Sequence, residues 1–329
     1  MTAEHKPDNA VQDASAPIFL ICSERSGSNL ISTVMGAHPE IYCAPPFHFG
    51  VLIFQNLFRT MDAGIESKVW RMMKRRINHR LRSLATEDHI ATAEAWLSAQ
   101  TEIKPKELAR FLYQEVTPEA AGKTVFIKEN NLHNTMFFLL DTFPNAKFVF
   151  QVRDPRDYLA STKALSEEEN GNRFGSDINA IKMWREDQLG GLRALGLLGA
   201  DRVSLHRYED LLQTPEDTLK SLCATIGKEY HPEMIRFHET EQAQERARSG
   251  GRRGNVNKPL IASNFAKYRT ALPEKKIRMV EDKVGDLMDI FGYPREYENT
   301  KVFTPRKRYV GLNRLQAENP PLLPLLDYS

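Results

Sequence analysis

An apolar run that breaks at a short Ser/Gly loop and resumes as a helix constrains this chain more than any other feature. Residues 17–22 read PIFLIC, a short apolar run bounded by Pro and Ser, as expected of a buried strand. Leu30, Ile31, Val34 and Met35 then recur at helical spacing, which predicts a helix over 28–37 packed on that strand and stopped at His38-Pro39. The loop between them, SERSG, holds one glycine.

The alternation continues along the chain. Residues 51–121 are mostly helical in pattern, TVFI (124–127) and KFVFQV (147–152) are β-rich, and LHNTMFFLLDTF between them predicts a crossover helix. RVSLH (202–206) predicts a further strand, and 211–226 a helix that ends at Gly227. Strands alternating with helices imply an α/β fold around a largely parallel sheet. Ligands in such sheets sit beyond the carboxyl ends of the strands. The loops after Cys22, Ile127, Val152 and His206 are therefore the ones to watch. Residues 1–15 read as a disordered lead-in, 16–300 as one domain and 301–329, ending PPLLPLLDYS, as an extended tail.

Composition narrows the function. A net charge of +2 over 329 residues argues against a polyanion-coating protein, so any anion site must be built locally. Cys22, Cys43 and Cys223 form neither a disulfide framework nor a CxxC pair, and no metal site is expected. The polar N-terminus lacks the apolar core of a secretory signal, and no run approaches the ~18 apolar residues of a membrane span. The expectation is a cytoplasmic protein with no membrane span and no nucleic-acid partner, leaving room for a homo-oligomer.

A strand–loop–helix unit offers unpaired N–H groups and a positive helix end to an anion. Gly27 lets the backbone approach closely, Arg25 adds charge, and Ser26 and Ser28 add hydroxyls. The competing account is a plain strand-to-helix turn that uses Gly27 for geometry. The ATP-binding pattern GxxxxGK[ST] is absent, and with it the lysine and the magnesium-binding hydroxyl, which points to a nucleotide other than a triphosphate. A second anion site follows the strand at 147–152: Arg153 comes directly after it, and Ser161 lies eight residues on, about two helical turns. Both could meet one anion, while Arg156 is open to pairing with nearby acids.

On these residues the chain resembles the sulfotransferases that use 3′-phosphoadenosine 5′-phosphosulfate (PAPS). RSGSNL (25–30) is similar to their 5′-phosphosulfate loop, and VRDPRDYLAS (152–161) to their 3′-phosphate motif. HRYEDLLQTPEDTLKSLCATIG (206–227) resembles a further family segment. NKPLIASNFAKYRTAL with the later LMDIFGYP resembles the C-terminal part of the branch that includes tyrosylprotein sulfotransferases. The four blocks run in family order across about 17–295. The resemblance implies a P-loop-like three-layer α/β fold with a central, mainly parallel sheet flanked by helices, PAPS as donor and no metal. It implies that Arg25, Ser26, Gly27, Ser28 and Asn29 bind the donor's 5′ end, with Asn29 standing where the family commonly has Thr or Ser. It places Arg153 and Ser161 on the 3′-phosphate, Tyr208 on the nucleotide, and Arg252 and Lys267 near the last phosphate contacts. It also puts Lys128 against the bridging phosphate oxygen, where leaving-group charge develops.

The base is less direct. Cytosolic relatives carry a histidine two residues after the lysine, where this chain has Asn130; tyrosylprotein relatives carry a glutamate near Pro46. His48 is the nearest group able to take a proton, and an ordinary histidine titrates in the right range. Glu24, Glu129 and His133 are the reserves. The resemblance leaves the acceptor open: a hydroxyl or amine on a small molecule, lipid or carbohydrate fits the expected setting. A magnesium-dependent P-loop nucleotide kinase and a non-catalytic nucleotide-binding relative are the rivals. The basic segment 71–82 reads as a solvated helix face, and Trp184 as core.

Overall fold

A computed structural model describes residues 16–297 apart from 62, 117–119, 169, 170, 172 and 249–255. The lead-in over 1–15 and the tail over 301–329 lie outside the described residues, as does Arg252. In chain order the elements are β1 (Ile18–Ile21), α1 (Ser28–Gly36), β2 (Ile41–Cys43), α2 (Phe49–Gln55), α3 (Leu57–Thr60), α4 (Lys68–Leu84), α5 (Glu87–Ala99) and α6 (Pro105–Arg110). There follow β3 (Thr124–Lys128), α7 (Met136–Thr142), β4 (Lys147–Val152), α8 (Pro155–Glu168), α9 (Asp177–Leu198), β5 (Val203–Arg207), α10 (Tyr208–Gln213), α11 (Pro215–Ile226), α12 (Glu241–Arg248), α13 (Tyr268–Ala271) and α14 (Glu274–Ile290). The strands form one sheet in the order β2-β3-β1-β4-β5, with β1 and β2 both parallel to β3. The expected mainly parallel sheet flanked by helices is what the chain builds.

Contacts divide the chain into two compact units. Among the described residues, the first holds those up to Ile21 with those of Asn29–Val149 and Ile226–Pro259; the second holds Cys22–Ser28 and those of Phe150–Thr225 and from Leu260 on. In the first, Phe19 of β1 packs against Tyr113, Phe143 and Phe148 at ring separations of 5.7–5.9 Å. Leu20 stands opposite Lys128, so the end of β3 lies beside the end of β1. In the second, Phe150 and Trp184 both meet Phe291 edge-on. Gly191 is needed there, because a Cβ on it would fall 2.3 Å from the Phe150 ring.

Local rules explain most boundaries. Asp154 accepts the Arg156 N–H at 2.8 Å and Pro155 opens α8, where a missing N–H costs nothing. Ser67 and Ser176 cap α4 and α9. Gly227, at φ 74°, ends α11 as expected. Two expected helices are divided. Pro215 cannot continue a helix and starts α11 anew after α10. The segment 132–142 opens with a 3₁₀ turn at Leu132–Thr135, after Asn131 turns left-handed at φ 54°. No helix among the described residues is long and apolar enough to cross a membrane.

Candidate active site

The loop after β1 is tied by side chains of its own unit. Arg25 is left-handed at φ 71° and Gly27 at φ 83°. A Cβ on Gly27 would come 2.3 Å from the Tyr208 ring, so only glycine fits. Arg25 Nε donates to Ser161 Oγ at 3.1 Å, and Arg153 donates to the Arg25 carbonyl at 2.7 Å. The Arg153 guanidinium also lies 4.8 Å over the Tyr208 ring. Arg25, Arg153, Ser161 and Tyr208, far apart in the sequence, thus meet on one loop. Gln151 donates to the Ser26 carbonyl at 2.5 Å and accepts from His206 at 2.9 Å; burial drives the His206 imidazole down to about 4 and keeps it neutral. The indole N–H of buried Trp184 holds the Arg153 carbonyl at 3.0 Å.

Behind the loop, Ser23 accepts from Gln188 at 2.7 Å and donates to Asp187. Burial pushes the Asp187 carboxyl up to about 7, against the pull of that hydrogen bond. Arg156 does pair with acids: it bonds Asp154 and Glu281 and lies 4.3 Å over the Tyr268 ring, so it is framework. Lys267 precedes α13, and the N–H of Tyr268 next to it donates to Asp157 of α8 at 2.9 Å. Lys267 is exposed. The Tyr208 hydroxyl accepts from Asn264 at 2.8 Å, leaving its ring as the wall behind Gly27.

The first unit holds the remaining candidates. Lys128 ends β3 and donates to Oδ1 of Asn29, the residue that follows Ser28 in the chain. An ammonium only donates, so the Asn29 amide must turn its oxygen to Lys128 and keeps its NH₂ as a donor elsewhere. His48 is left-handed at φ 56° and precedes α2; its Nδ1 accepts the Asn130 N–H at 3.3 Å.

Sequence reasoning did not foresee what holds His48 in that conformation. Arg80 of α4 donates to the carbonyls of Phe47, at 2.8 Å, and of His48. Two residues on, the Gly50 N–H reaches the Tyr113 hydroxyl at 2.5 Å and Glu129 Oε1 at 3.4 Å. Glu129 is 2% exposed, and burial pushes its carboxyl up to about 7. It faces the Tyr113–Gly50 network, which suits a supporting part. Glu24 is engaged by Arg173 at 2.8 Å, and His133 lies in the 3₁₀ turn after β3.

The residues fit a phosphorylated ligand by one independent measure. Ser26 Oγ and Arg153 Nε are buried donors with no hydrogen-bond partner among the described residues. Burying an unpaired donor is costly, and an anion at the loop would satisfy both.

A family model described as "Sulfotransferase family" matches residues 17–232. "Nodulation protein NoeE" of Sinorhizobium fredii is 24% identical over 301 residues, covering 86% of this chain and 67% of that protein. "Protein-tyrosine sulfotransferase" of Drosophila melanogaster is 21% identical over 283 residues, covering 84% of this chain and 51% of that protein. The chain thus spans about two thirds of the first relative and half of the second. Among solved structures, a "Sulfotransferase Domain from the Curacin Biosynthetic Pathway" superposes with a TM-score of 0.56 at 15% identity, over 82% of this chain and 98% of that one. The "Sulfotransferase Domain from the Synechococcus PCC 7002 Olefin Synthase" gives 0.56 at 21% identity, over 82% and 95%. At such identities the likeness shows the P-loop-like α/β fold.

Proposed function

This chain belongs to the sulfotransferase family, and we propose that it moves a sulfuryl group from PAPS to a hydroxyl or amine of a small-molecule, lipid or carbohydrate acceptor. The observation that carries the reading is the loop of the second unit, where Arg25, Arg153 and Ser161 converge around two buried donors suited to an anion. The reading takes 16–300 as one catalytic domain, of which the family match covers 17–232.

The donor would supply an activated sulfuryl group and a nucleotide phosphate as leaving group. Arg25, Ser26, Ser28 and the loop N–H groups hold its 5′ phosphate, with Gly27 giving the close approach. Arg153 and Ser161 hold the 3′-phosphate, and this remote binding fixes the reacting atoms. A localised ammonium is most useful where charge appears late in the reaction, and Lys128 fills that part beside Asn29. Tyr208 walls the loop, and Lys267 and Arg252 complete the phosphate contacts. His48 takes the acceptor's proton. A ring protonated on both nitrogens cannot accept from the Asn130 amide, so that bond yields as the proton arrives.

The test is transfer of labelled sulfate from PAPS, without magnesium, to a panel of sugar, lipid-alcohol, small phenol and tyrosine-peptide acceptors. Label on a sugar, lipid alcohol or small phenol supports the reading, whereas label on the tyrosine peptide alone would keep the donor and overturn the acceptor class. ATP turnover that requires magnesium, with no transfer from PAPS, would favour the kinase instead.

A further inference from the structure

Eight large apolar side chains are exposed among the described residues, and four of them, Phe54, Phe58, Met61 and Phe137, lie on neighbouring elements of the first unit. Phe58 is 89% exposed and Phe137 81%. Phe54 lies on α2, Phe58 on α3 and Met61 directly after α3, all within the eight residues that span the break between the two helices at Asn56. The Phe54 ring lies 6.3 Å from that of Phe138, so the side carrying Phe54 adjoins the start of α7, where Phe137 stands. Scattered exposed apolar residues need no explanation, but a cluster of aromatics does.

The next helix adds charge. On α4, Trp70, Met73, Ile77 and Leu81 are buried. Lys68, Arg71, Arg75, His79 and Arg82 recur at three- and four-residue spacing on the opposite side, and all five are exposed. From Lys68 to Arg82 this makes a stripe about 21 Å long. Arg82 has Glu94 at 3.7 Å, and Arg71 donates to the Glu66 carbonyl. α3, which carries exposed Arg59 next to Phe58, packs on α4, and the Trp70 indole is tied to the Ala63 carbonyl between them.

We propose that the α2–α4 and α7 surface docks on an anionic lipid bilayer, with Phe54, Phe58, Met61 and Phe137 entering the interface and the α4 cations meeting lipid headgroups. Cations alone would suit any polyanion. Phenylalanines this exposed on neighbouring elements of the same unit favour lipid, because such rings bury in the headgroup region while cations remain at its charged surface. The docking is independent of the catalytic assignment and stands or falls by its own assay.

The experiment is co-sedimentation of the full chain with phosphatidylcholine vesicles and with vesicles that also contain phosphatidylserine, at low and high salt. Two double variants are compared: Phe58→Ser with Phe137→Ser, and Arg71→Glu with Arg75→Glu. Binding to the anionic vesicles, weakened about tenfold by each pair and by salt, is expected. Unchanged thermal unfolding and unchanged binding of 3′-phosphoadenosine 5′-phosphate show that both variants are folded with the donor site intact. No vesicle binding by the wild type overturns the proposal. So does loss on the charge pair alone with heparin competing, which marks a general polyanion site. Self-association through the phenylalanines without vesicle binding overturns it as well.

Discussion

The backbone N–H of Asn130 donates to Nδ1 of His48 over 3.3 Å. The neutral ring then carries its proton on Nε2. Acting as a base costs this hydrogen bond, about 1 kcal/mol. His48→Asn is the informative change, because asparagine tolerates the left-handed φ of 56° and cannot take a proton near neutrality. We expect kcat to fall by ~10²–10⁴ with the affinity for 3′-phosphoadenosine 5′-phosphate unchanged. A rise in KM for the acceptor at unchanged kcat would make Nε2–H an orienting donor instead.

Gly27→Ala should disable the loop. The substitution meets a left-handed backbone at φ 83° and the Tyr208 ring at 2.3 Å. The loop must move, and its N–H groups move with it. Calorimetry should show nucleotide affinity reduced at least about tenfold and the melting temperature lowered by a loss of ~1–2 kcal/mol. Wild-type affinity in the alanine variant would mean that the loop does not hold the phosphates.

Lys128→Met removes the ammonium that Asn29 now receives, at similar length. If Lys128 meets charge that grows on the leaving phosphate, kcat should drop by about 10²–10³ while KM for PAPS changes little. A change confined to KM would mark uniform binding of the donor.

Glu129 predicts a pH dependence of folding. Its carboxyl rises from 4.5 to about 7, chiefly by burial. Between those values the folded protein keeps a proton that the unfolded chain gives up. Stability therefore falls as pH rises through that window, by ~3 kcal/mol for this group acting alone. Glu129→Gln keeps an oxygen for the Gly50 N–H and cannot ionise. Urea midpoints should be flatter with pH for the variant and higher than wild type at about pH 8. Asp187 and Glu209 also rise to about 7 through burial and keep part of the slope in both proteins. Identical slopes would assign the whole titration to those two.

What the sequence made legible was local. The strand–loop–helix at 17–37, Lys128 at the end of β3, and Arg153 with Ser161 eight residues on all rest on short-range periodicity, and the structure builds those elements where expected. β2 went unseen because three residues carry no period. The contacts of Gly50 with Tyr113 and Glu129 span 63 and 79 residues and leave no local mark. Arg80 was hidden in a basic run that reads as solvated. It had a signal, since it falls seven residues after buried Met73 and so on the inner side of α4, away from the cationic stripe.

The central claim is that Arg153 and the loop it braces hold the donor's phosphates. Titrating 3′-phosphoadenosine 5′-phosphate calorimetrically into wild type and Arg153→Ala, without magnesium, tests it most directly. Tight binding by the wild type that weakens by about two orders of magnitude in the variant is the predicted result, as befits loss of a charge-assisted contact to a phosphate. Equal affinity in the two proteins, or no binding by the wild type, would contradict it.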